Sequence, residues 1–246
     1  MKNIINIATT IFLFIFSIIY TKKAIIFLQN NDPLIKEIKS QENNYYLKPI
    51  DAIITKNYMI PGISGKTINI NESYKKMKKL NSFNKSLIVY EDILPNKTIN
   101  NNYDKVILKG NPKLKHLSII VNTNNNYQTI NSYMKNNNLY LDIYSNQNID
   151  ISNTNFQNIV TDSYYYFTDY CLYNNQEIDN NCYQNNKYTI KVSNIKSLQD
   201  VKDNLSNGVI FLYNNKQLDN LNIIIKYLRN NNYQIKTIDK LINEKE

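Results

Sequence analysis

The longest apolar run in the chain lies near its amino terminus, between Ile4 and Tyr20. A helix needs roughly 17–25 residues to cross a bilayer, and this run is long enough to do so. The two lysines that follow lead into AIIFLQ, in which no small-residue cleavage site can be recognised. We therefore expect an uncleaved transmembrane anchor over residues 1–24 rather than a removed signal peptide.

Downstream of this anchor the apolar residues come in short runs that turns interrupt. Residues 25–48 are polar and carry lysines and glutamates, which predicts a stalk with a short helix. In residues 49–111, short runs such as IDAII and LIVY flank one amphipathic helix, which predicts a small α+β module. The Gly-Asn-Pro sequence at 110–112 marks the end of this module.

Strands and helices alternate in the remaining residues, 112–246. LSIIV, LYLDIY and GVIFLY are apolar runs of strand length, and a helix is predicted between the first two. Ser197 and Asp200 have the spacing of a capping box, which predicts the start of another helix. The clearest helix runs from Gln217 to Asn230, where apolar residues recur along one stripe. Alternation with short connections predicts an α/β fold with a parallel sheet, open or barrel-like.

The charge of the chain is strongly positive but does not predict a nucleic-acid partner. The formal net charge is +9, and Arg229 is the only arginine among 29 basic residues. Arginine is the side chain best suited to phosphates and base edges, so its scarcity argues against nucleic-acid binding. Asn, Ile, Lys and Tyr dominate the sequence and have codons rich in A and T, so a biased base composition explains the basicity.

The supply of metal-binding and catalytic residues is small. His116 is the only histidine, which excludes a zinc site with two or three histidine ligands. The glycine motifs of nucleotide-binding loops and of serine hydrolases are missing from the sequence. Asp162, Asp169 and Asp179 are close in sequence, but their spacing matches no cation-binding loop. We predict neither a metal nor a cofactor.

Two cysteines, Cys171 and Cys182, flank a short polar segment. In an exported protein two cysteines at this spacing usually pair, which predicts a disulfide with Cα atoms within about 7 Å. The other interpretation is two unrelated thiols in a cytosolic domain. With the disulfide, we predict a single-pass protein of the cell membrane whose soluble part is extracytoplasmic.

An aromatic run from Tyr164 to Phe167, followed by Tyr170, has two interpretations. It is either a platform for sugar rings or a half-buried strand whose rings pack in the core. The chain contains 21 tyrosines, so a cluster of them is not unusual, and packing is the preferred interpretation.

The order of elements in the carboxyl-terminal part resembles that of the polysaccharide deacetylases, whose NodB-type domain is a distorted β/α barrel. LSIIVNTNNN, a helix and LYLDIYS resemble the strand that runs into the family's Thr-Phe-Asp-Asp-Gly motif and the elements after it. GVIFLYNN, a helix and NNNYQIKTIDKLI resemble the closing strand with Leu-Leu-His and the end of the domain. The preceding module, with IPGISGKTINI and YDKVILKGN, is similar to one found before such domains in membrane-anchored proteins of low-GC Gram-positive bacteria.

This resemblance covers most of residues 31–246 and implies a shortened, distorted β/α barrel after a small α+β module and a transmembrane helix. Family members remove an acetyl group from a sugar nitrogen with a metal held by one Asp and two His, a second Asp as base and a closing His as acid. The paired-Asp positions fall on Asn122 and Thr123, and the closing His falls on Tyr213. The motif with two histidine ligands has no counterpart in this chain. The resemblance therefore implies a member without the catalytic metal site.

A cleft that has lost its catalytic residues can still bind a sugar chain, so we predict a cell-envelope glycan as ligand, or a scaffold role beside envelope enzymes. The residues expected to line the cleft, at the carboxyl ends of their strands, are Asn122, Asn124, Tyr213 and Asn214. Two alternatives remain open. One is a divergent, active glycan N-deacetylase with an unrecognised site, and the other is a membrane adaptor that binds no glycan. The sequence predicts no oligomeric state.

Overall fold

The computed structural model describes residues 11–21, 31–122, 127–174, 177–214 and 217–245. These residues belong to two compact units. The smaller unit comprises Met1–Lys48 and Gly65–Ile93, and the larger unit comprises Pro49–Ser64 and Leu94–Glu246. The strands predicted for the small module are found in both units, because the chain leaves the larger unit after Ser64 and returns to it at Leu94.

Helices and strands are numbered in chain order, apart from residues 11–21, which are also helical. The helices are α1 (Pro33–Ser40), α2 (Glu42–Tyr45), α3 (Ile70–Met77), α4 (Tyr127–Asn136), α5 (Asn180–Gln184), α6 (Leu198–Asn204), α7 (Leu218–Asn230) and α8 (Ile238–Leu241). The strands are β1 (Ile53–Ile54), β2 (Tyr58–Ile60), β3 (Gly65–Ile68), β4 (Tyr90–Ile93), β5 (Val106–Ile107), β6 (His116–Asn122), β7 (Leu141–Tyr144), β8 (Phe156–Thr161), β9 (Tyr170–Leu172), β10 (Tyr188–Ile190), β11 (Ser193–Ile195), β12 (Ile210–Tyr213) and β13 (Gln234–Ile235).

The helical residues 11–21 belong to the predicted anchor, and their apolar side chains are exposed. Among the residues that the structure describes, no helix is both long enough and apolar enough to span a bilayer. The predicted anchor also includes residues 1–10 and 22–24, and the predicted stalk begins with residues 25–30, all of which lie outside the described part. The transmembrane helix therefore stays a prediction.

The smaller unit contains an antiparallel pair of strands, β3 and β4, and the helices α1 to α3. Asp32 caps α1 by accepting a hydrogen bond from the Leu34 amide at 2.8 Å. The same carboxylate accepts a hydrogen bond from the Tyr74 hydroxyl at 2.7 Å, which ties α1 to α3. Ile38 and Met77 are fully buried between these helices, so the apolar stripe of each helix covers that of the other.

Within the described residues, eleven strands of the larger unit form one curled, half-barrel sheet. Their order is β1-β2-β5-β10-β9-β8-β7-β6-β12-β11, and β13 pairs with the start of β6. Every pair in this sheet is parallel except β1 with β2. The mixed α/β fold with a parallel sheet, predicted from the alternation of strands and helices, is confirmed.

Strand β6 shows that both faces of the sheet are buried. Ile119 and Val121 pack in a helix-side cluster together with α4, α6 and α7. Ile120 packs on the opposite face, in an inner cluster built from strand residues and from α8. Ser118 and Asn122 share this inner face because side chains alternate along a strand. The nearly continuous apolar sequence of β6 is that of a parallel strand buried on both sides.

A buried carboxyl group joins the inner face to the carboxyl-terminal segment. Asp142 on β7 accepts hydrogen bonds from the Ile238 amide at 2.7 Å and from the Ser118 hydroxyl at 3.1 Å. The side-chain amide of Asn158 donates a third hydrogen bond to Asp142 at 2.6 Å. Burial nevertheless raises the pKa of Asp142 to about 7. This contact holds the first turn of α8 against the sheet.

The predicted disulfide is confirmed. Cys171 on β9 and Cys182 on α5 are bonded, with their Cα atoms 6.4 Å apart, and both are fully buried. The bond attaches α5 to the sheet.

Asparagine occupies every described non-glycine position with a left-handed backbone conformation. These residues are Asn81, Asn101, Asn138, Asn186 and Asn232. The last three follow the ends of α4, α5 and α7, where a helix is commonly terminated by glycine. Asparagine tolerates this conformation better than other residues with a β-carbon. The Asn-rich tracts of the sequence thus include helix-terminating turns.

Candidate functional site

A chain of hydrogen-bonded amides crosses three neighbouring strands at their carboxyl ends. Asn122, at the end of β6, donates from its side-chain amide to Asn214 at 2.9 Å. Asn214, directly after β12, donates in turn to Asn194 on β11 at 2.6 Å. The strands are paired in parallel, so side chains of the same face meet at their ends. Two of the predicted cleft residues, Asn122 and Asn214, are therefore brought together.

The polar groups continue across the next two strands. Tyr144, the register partner of Asn122, ends β7, and its hydroxyl donates to Asp162 after β8 at 2.6 Å. Asn146 donates to the same carboxylate at 2.7 Å. Burial, together with the hydrogen bond to Asp162, raises the pKa of Tyr144 to about 12, so the hydroxyl keeps its proton at neutral pH. We call the row of Asn194, Asn214, Asn122, Tyr144 and Asp162 the polar edge.

Tyr213 does not join the polar edge. It is 1% exposed, packs in the helix-side cluster and donates its hydroxyl hydrogen bond to the backbone carbonyl of Gln217. Alternation along β12 turns Tyr213 to the helix side and Asn214 to the inner face. The side chain that meets Asn122 is therefore Asn214 and not Tyr213, to which the resemblance assigned the closing His. Thr123 and Asn124 lie outside the described residues.

An aromatic loop follows β8 beside the polar edge. Tyr165 and Phe167 are stacked with ring centroids 5.3 Å apart, and Tyr166 meets Phe167 edge-on at 5.2 Å. Tyr166 is 79% exposed, and its hydroxyl accepts a hydrogen bond from the Asn148 amide at 2.6 Å. Phe167 packs against the helix-side cluster. The aromatic run therefore fits each interpretation in part. Phe167 packs against the core, and Tyr166 presents an exposed ring.

Two buried threonines fix the conformation of this loop. The hydroxyls of Thr161 and Thr168 are 2.9 Å apart, and Thr168 also accepts a hydrogen bond from the Tyr165 amide at 2.8 Å. Thr161 donates to the Ser163 carbonyl at 2.7 Å. These hydrogen bonds order the aromatic loop before any ligand binds. A ligand would therefore lose less affinity to the conformational entropy of the loop.

Sequence reasoning missed three members of the polar edge, namely Tyr144, Asp162 and Asn194. Tyr144 and Asp162 lie at or just after the end of a strand, the same signal that identifies Asn122 and Asn214, whereas Asn194 is the middle residue of the three-residue strand β11. The strands β8 and β11 were not recognised, because one is short and both are rich in polar residues. Without those strands, Asp162 and Asn194 could not be placed at the same edge as Asn122.

The carboxylates considered in the sequence have separate structural roles. Asp169 accepts a hydrogen bond from the Ile159 amide at 2.7 Å, and Asp179 caps α5 through the Asn181 amide at 2.7 Å. Asp162 binds Tyr144 and Asn146, as described above. In the described part of the chain, no three His, Cys, Asp or Glu residues are grouped so that they could hold a metal ion. His116 begins β6, at the opposite end of that strand from Asn122.

Comparison with known proteins gives one sequence relative over part of the chain. An uncharacterised protein of Bacillus subtilis, YlxY, is 34% identical over 94 residues. The match covers 38% of this chain and 30% of YlxY, so the chain spans less than a third of that protein. No family model matches the sequence.

Solved structures cover much more of the chain. BA3943 from Bacillus anthracis, described as a CE4 family pseudoenzyme, covers 88% of this chain and 97% of its own, with a TM-score of 0.65 and 18% identity. A BA3943 mutant with restored enzymatic activity covers 87% of this chain and 99% of its own, with a TM-score of 0.58 and 16% identity. At such identities the likeness concerns the fold. The chain has a CE4, NodB-like deacetylase fold, as the resemblance in the sequence implied.

Proposed function

We propose that this protein is a deacetylase-like pseudoenzyme that binds cell-envelope glycan along the polar edge. The observation that carries the proposal is the hydrogen bond of 2.9 Å between Asn122 and Asn214. The resemblance places the first catalytic Asp at Asn122. An amide pair thus stands where that reaction needs a carboxylate.

An amide cannot perform the proton transfers of the reaction. It neither accepts a proton at neutral pH nor donates one as an acid, so Asn122 and Asn214 cannot serve as general base and general acid. It is also a weaker metal ligand than a carboxylate. The same side chain offers two donors and one acceptor oxygen, a good match for sugar hydroxyls and N-acetyl groups. The arrangement favours binding over hydrolysis.

The aromatic loop supplies the apolar part of such a site. Carbohydrate rings have apolar faces, and binding sites combine aromatic surfaces with a few polar groups that fix orientation. Tyr166 offers an exposed ring, and the side-chain amide of Asn148 offers a hydrogen-bonding group beside it. A glycan that follows the polar edge would reach this ring.

The membrane location is also part of the proposal. The apolar run from Ile4 to Tyr20 supports an anchor, and the disulfide between Cys171 and Cys182 supports an oxidising compartment. A soluble part held outside the cytoplasm would face the envelope glycan directly.

The proposal is tested with the full chain in detergent, titrated calorimetrically with chitotetraose and with peptidoglycan fragments. We expect binding without acetate release in the presence of zinc, and about fivefold weaker binding of Asn122→Ala, since one hydrogen bond contributes about 1 kcal/mol. Asn137→Ala is the matched control, because Asn137 is an exposed asparagine after the end of α4 whose side-chain amide donates to the Tyr133 carbonyl of that helix.

Other outcomes select the alternatives. Zinc-dependent acetate release that Asn122→Ala abolishes would establish a divergent deacetylase and overturn the pseudoenzyme. Failure of every glycan to bind, without acetate release, would leave a role that needs no glycan, as a scaffold beside envelope enzymes or as a membrane adaptor.

A further inference from the structure

A cavity lies at the opposite end of the strands from the polar edge, where β6 and β7 begin. It has a volume of about 400 Å³ and is bordered by the residues just before β7, by β13 and by the end of α7. Three cationic residues line it, Arg229, Lys236 and Lys240. None of the described residues that line it is Asp or Glu. The polar edge is at the carboxyl ends of β6, β7 and β12, so the two sites are distinct.

The three cationic side chains have no carboxylate partner in the part of the chain that the structure describes. Within the described ranges, none of Arg229, Lys236 and Lys240 forms an ion pair. Lys115 adds a further positive charge nearby, since its ammonium lies over the ring of Tyr233, a wall residue, at 5.7 Å from the centroid. Like charges placed together repel one another, and a bound anion would relieve that repulsion.

The backbone carbonyls at the end of α7 are bonded to backbone amides and not to these cationic side chains. A helix carboxyl terminus attracts positive side chains through its free carbonyls. Here the carbonyls of Tyr227, Leu228 and Arg229 accept hydrogen bonds from the amides of the turn that follows, Asn231 to Tyr233. Arg229 is an exposed residue, and it lines the cavity.

The floor of the cavity is rigid. The amide of Gln234 donates to the Lys115 carbonyl at 2.9 Å, and the amide of Lys236 donates to the Leu117 carbonyl at 2.8 Å. These two hydrogen bonds attach the backbone around Lys236 to the buried strand β6. Tyr140, 48% exposed, lines the same cavity and provides an amphipathic wall.

We propose that this cavity binds a phosphodiester group. The planar guanidinium of Arg229 can hold two phosphate oxygens, and Lys236 and Lys240 act as point charges for the remaining charge. The volume of about 400 Å³ admits the phosphate and a short polyol on either side, and Tyr140 can contact the carbon atoms of that polyol. Arg229 is the only arginine of the chain, and it stands where bidentate phosphate contact is useful. The phosphodiester belongs either to an anionic lipid headgroup or to a soluble phosphodiester-linked polymer.

The test uses the full chain in detergent, with glycerophosphoglycerol as the soluble phosphodiester probe and calorimetry as the measurement. Arg229→Gln and Lys236→Gln should each weaken binding about tenfold, because each removes a charge-assisted hydrogen bond. Lys226→Gln is the matched control, since Lys226 is exposed on the same helix, lies outside the cavity and loses the same charge. We expect the control to bind like the wild type.

Two further arms distinguish the sources of the phosphodiester. Phosphatidylglycerol in mixed micelles represents the lipid headgroup, and a glycerol-phosphate oligomer represents the polymer. Tighter binding of one, lost in Arg229→Gln, identifies the source. Equal weakening by Lys226→Gln would reduce the effect to general surface charge and overturn the site. Failure of all three probes to bind would overturn it as well. Neither result bears on glycan binding at the polar edge.

Discussion

The Ile238 backbone amide donates a hydrogen bond of 2.7 Å to Asp142, which lies 96 residues earlier in the chain. The carboxyl group is fully buried, and the negative charge of Asp239 adds to burial in raising its pKa. A single titratable group thereby links the last helix of the fold to the inner face of the sheet, and its protonation should be visible in the stability of the protein.

We predict that stability falls as the pH rises through neutrality. The pKa of Asp142 is about 7 in the folded protein and about 4 in an unfolded chain, so the folded state holds the proton more tightly. The stability that this provides is complete below about pH 4 and is lost as the pH rises through about 7. Urea unfolding between pH 5 and 8.5 measures the change, and Asp142→Asn should lack this part of the pH dependence.

The comparison with the variant isolates Asp142 from other buried acids. Burial also raises the pKa of Glu244, but Glu244 is unchanged in Asp142→Asn and cancels in the difference. Parallel stability curves for the two proteins would contradict the prediction.

Loss of the disulfide should destabilise the larger unit without unfolding its sheet. Closing a loop of this length constrains the unfolded chain by roughly 2–3 kcal/mol in the chain-entropy model. We expect the double variant Cys171→Ser and Cys182→Ser to lose about that much free energy of unfolding, measured by urea titration. The wild type under reducing conditions should lose a similar amount. A variant as stable as the oxidised wild type would show that the bond adds nothing.

The exposed ring of Tyr166 should contribute to glycan affinity. Tyr166→Ala should weaken chitotetraose binding about two- to twelvefold, because aromatic stacking contributes about 0.5–1.5 kcal/mol. Tyr166→Phe keeps the ring and loses only the hydrogen bond from Asn148, so it should bind nearly as well as the wild type. Tyr183→Ala, at an exposed tyrosine of α5, is the control. Weakening by Asn122→Ala but not by Tyr166→Ala would keep the polar edge and remove the ring from the site.

Gly208 should not tolerate a side chain. Its φ of 81° is strained for other residues, and a β-carbon there would lie 2.2 Å from the Gly110 carbonyl oxygen. The two glycines are also joined by a hydrogen bond of 2.8 Å from the Gly110 amide to the Gly208 carbonyl. We expect Gly208→Ala to cost more than about 3 kcal/mol or to prevent folding, as seen by circular dichroism. Asn207→Ala, one residue earlier and half-buried, removes only a side-chain hydrogen bond to the Pro112 carbonyl and should fold normally.

The sequence predicted those elements whose signals are local. LSIIV, LYLDIY and GVIFLY correspond to β6, β7 and β12, and Gln217 to Asn230 corresponds to α7 with its cap residue. The capping box of Ser197 and Asp200 is present at the start of α6. In each case the pattern lies within one continuous segment and is long enough to show its period.

The candidate site could be predicted only in part, because it depends on which strands are neighbours. Asn122 and Asn214 were identified from the ends of two clear strands. Asn194 lies within β11, which reaches Asn122 only through β12, and the pairing of β12 with β6 joins segments that are distant in sequence. Asp162 follows β8, a strand whose polar sequence hides it, so no local pattern places either residue beside Asn122. Neighbouring residues of a strand point to opposite faces of the sheet. An alignment of β12 that is wrong by one residue therefore exchanges Tyr213 for Asn214 at the inner face.

The asparagines in left-handed turns have a consequence for how this sequence can change over time. Glycine codons begin with two G bases, whereas asparagine codons begin with two A bases. The chain has only 4 glycines, and asparagine terminates α4, α5 and α7 in their place. A coding sequence under pressure toward A and T can therefore give up glycine at helix ends while the backbone keeps its turns. At these positions the base composition of the gene can change while the fold of the protein stays the same.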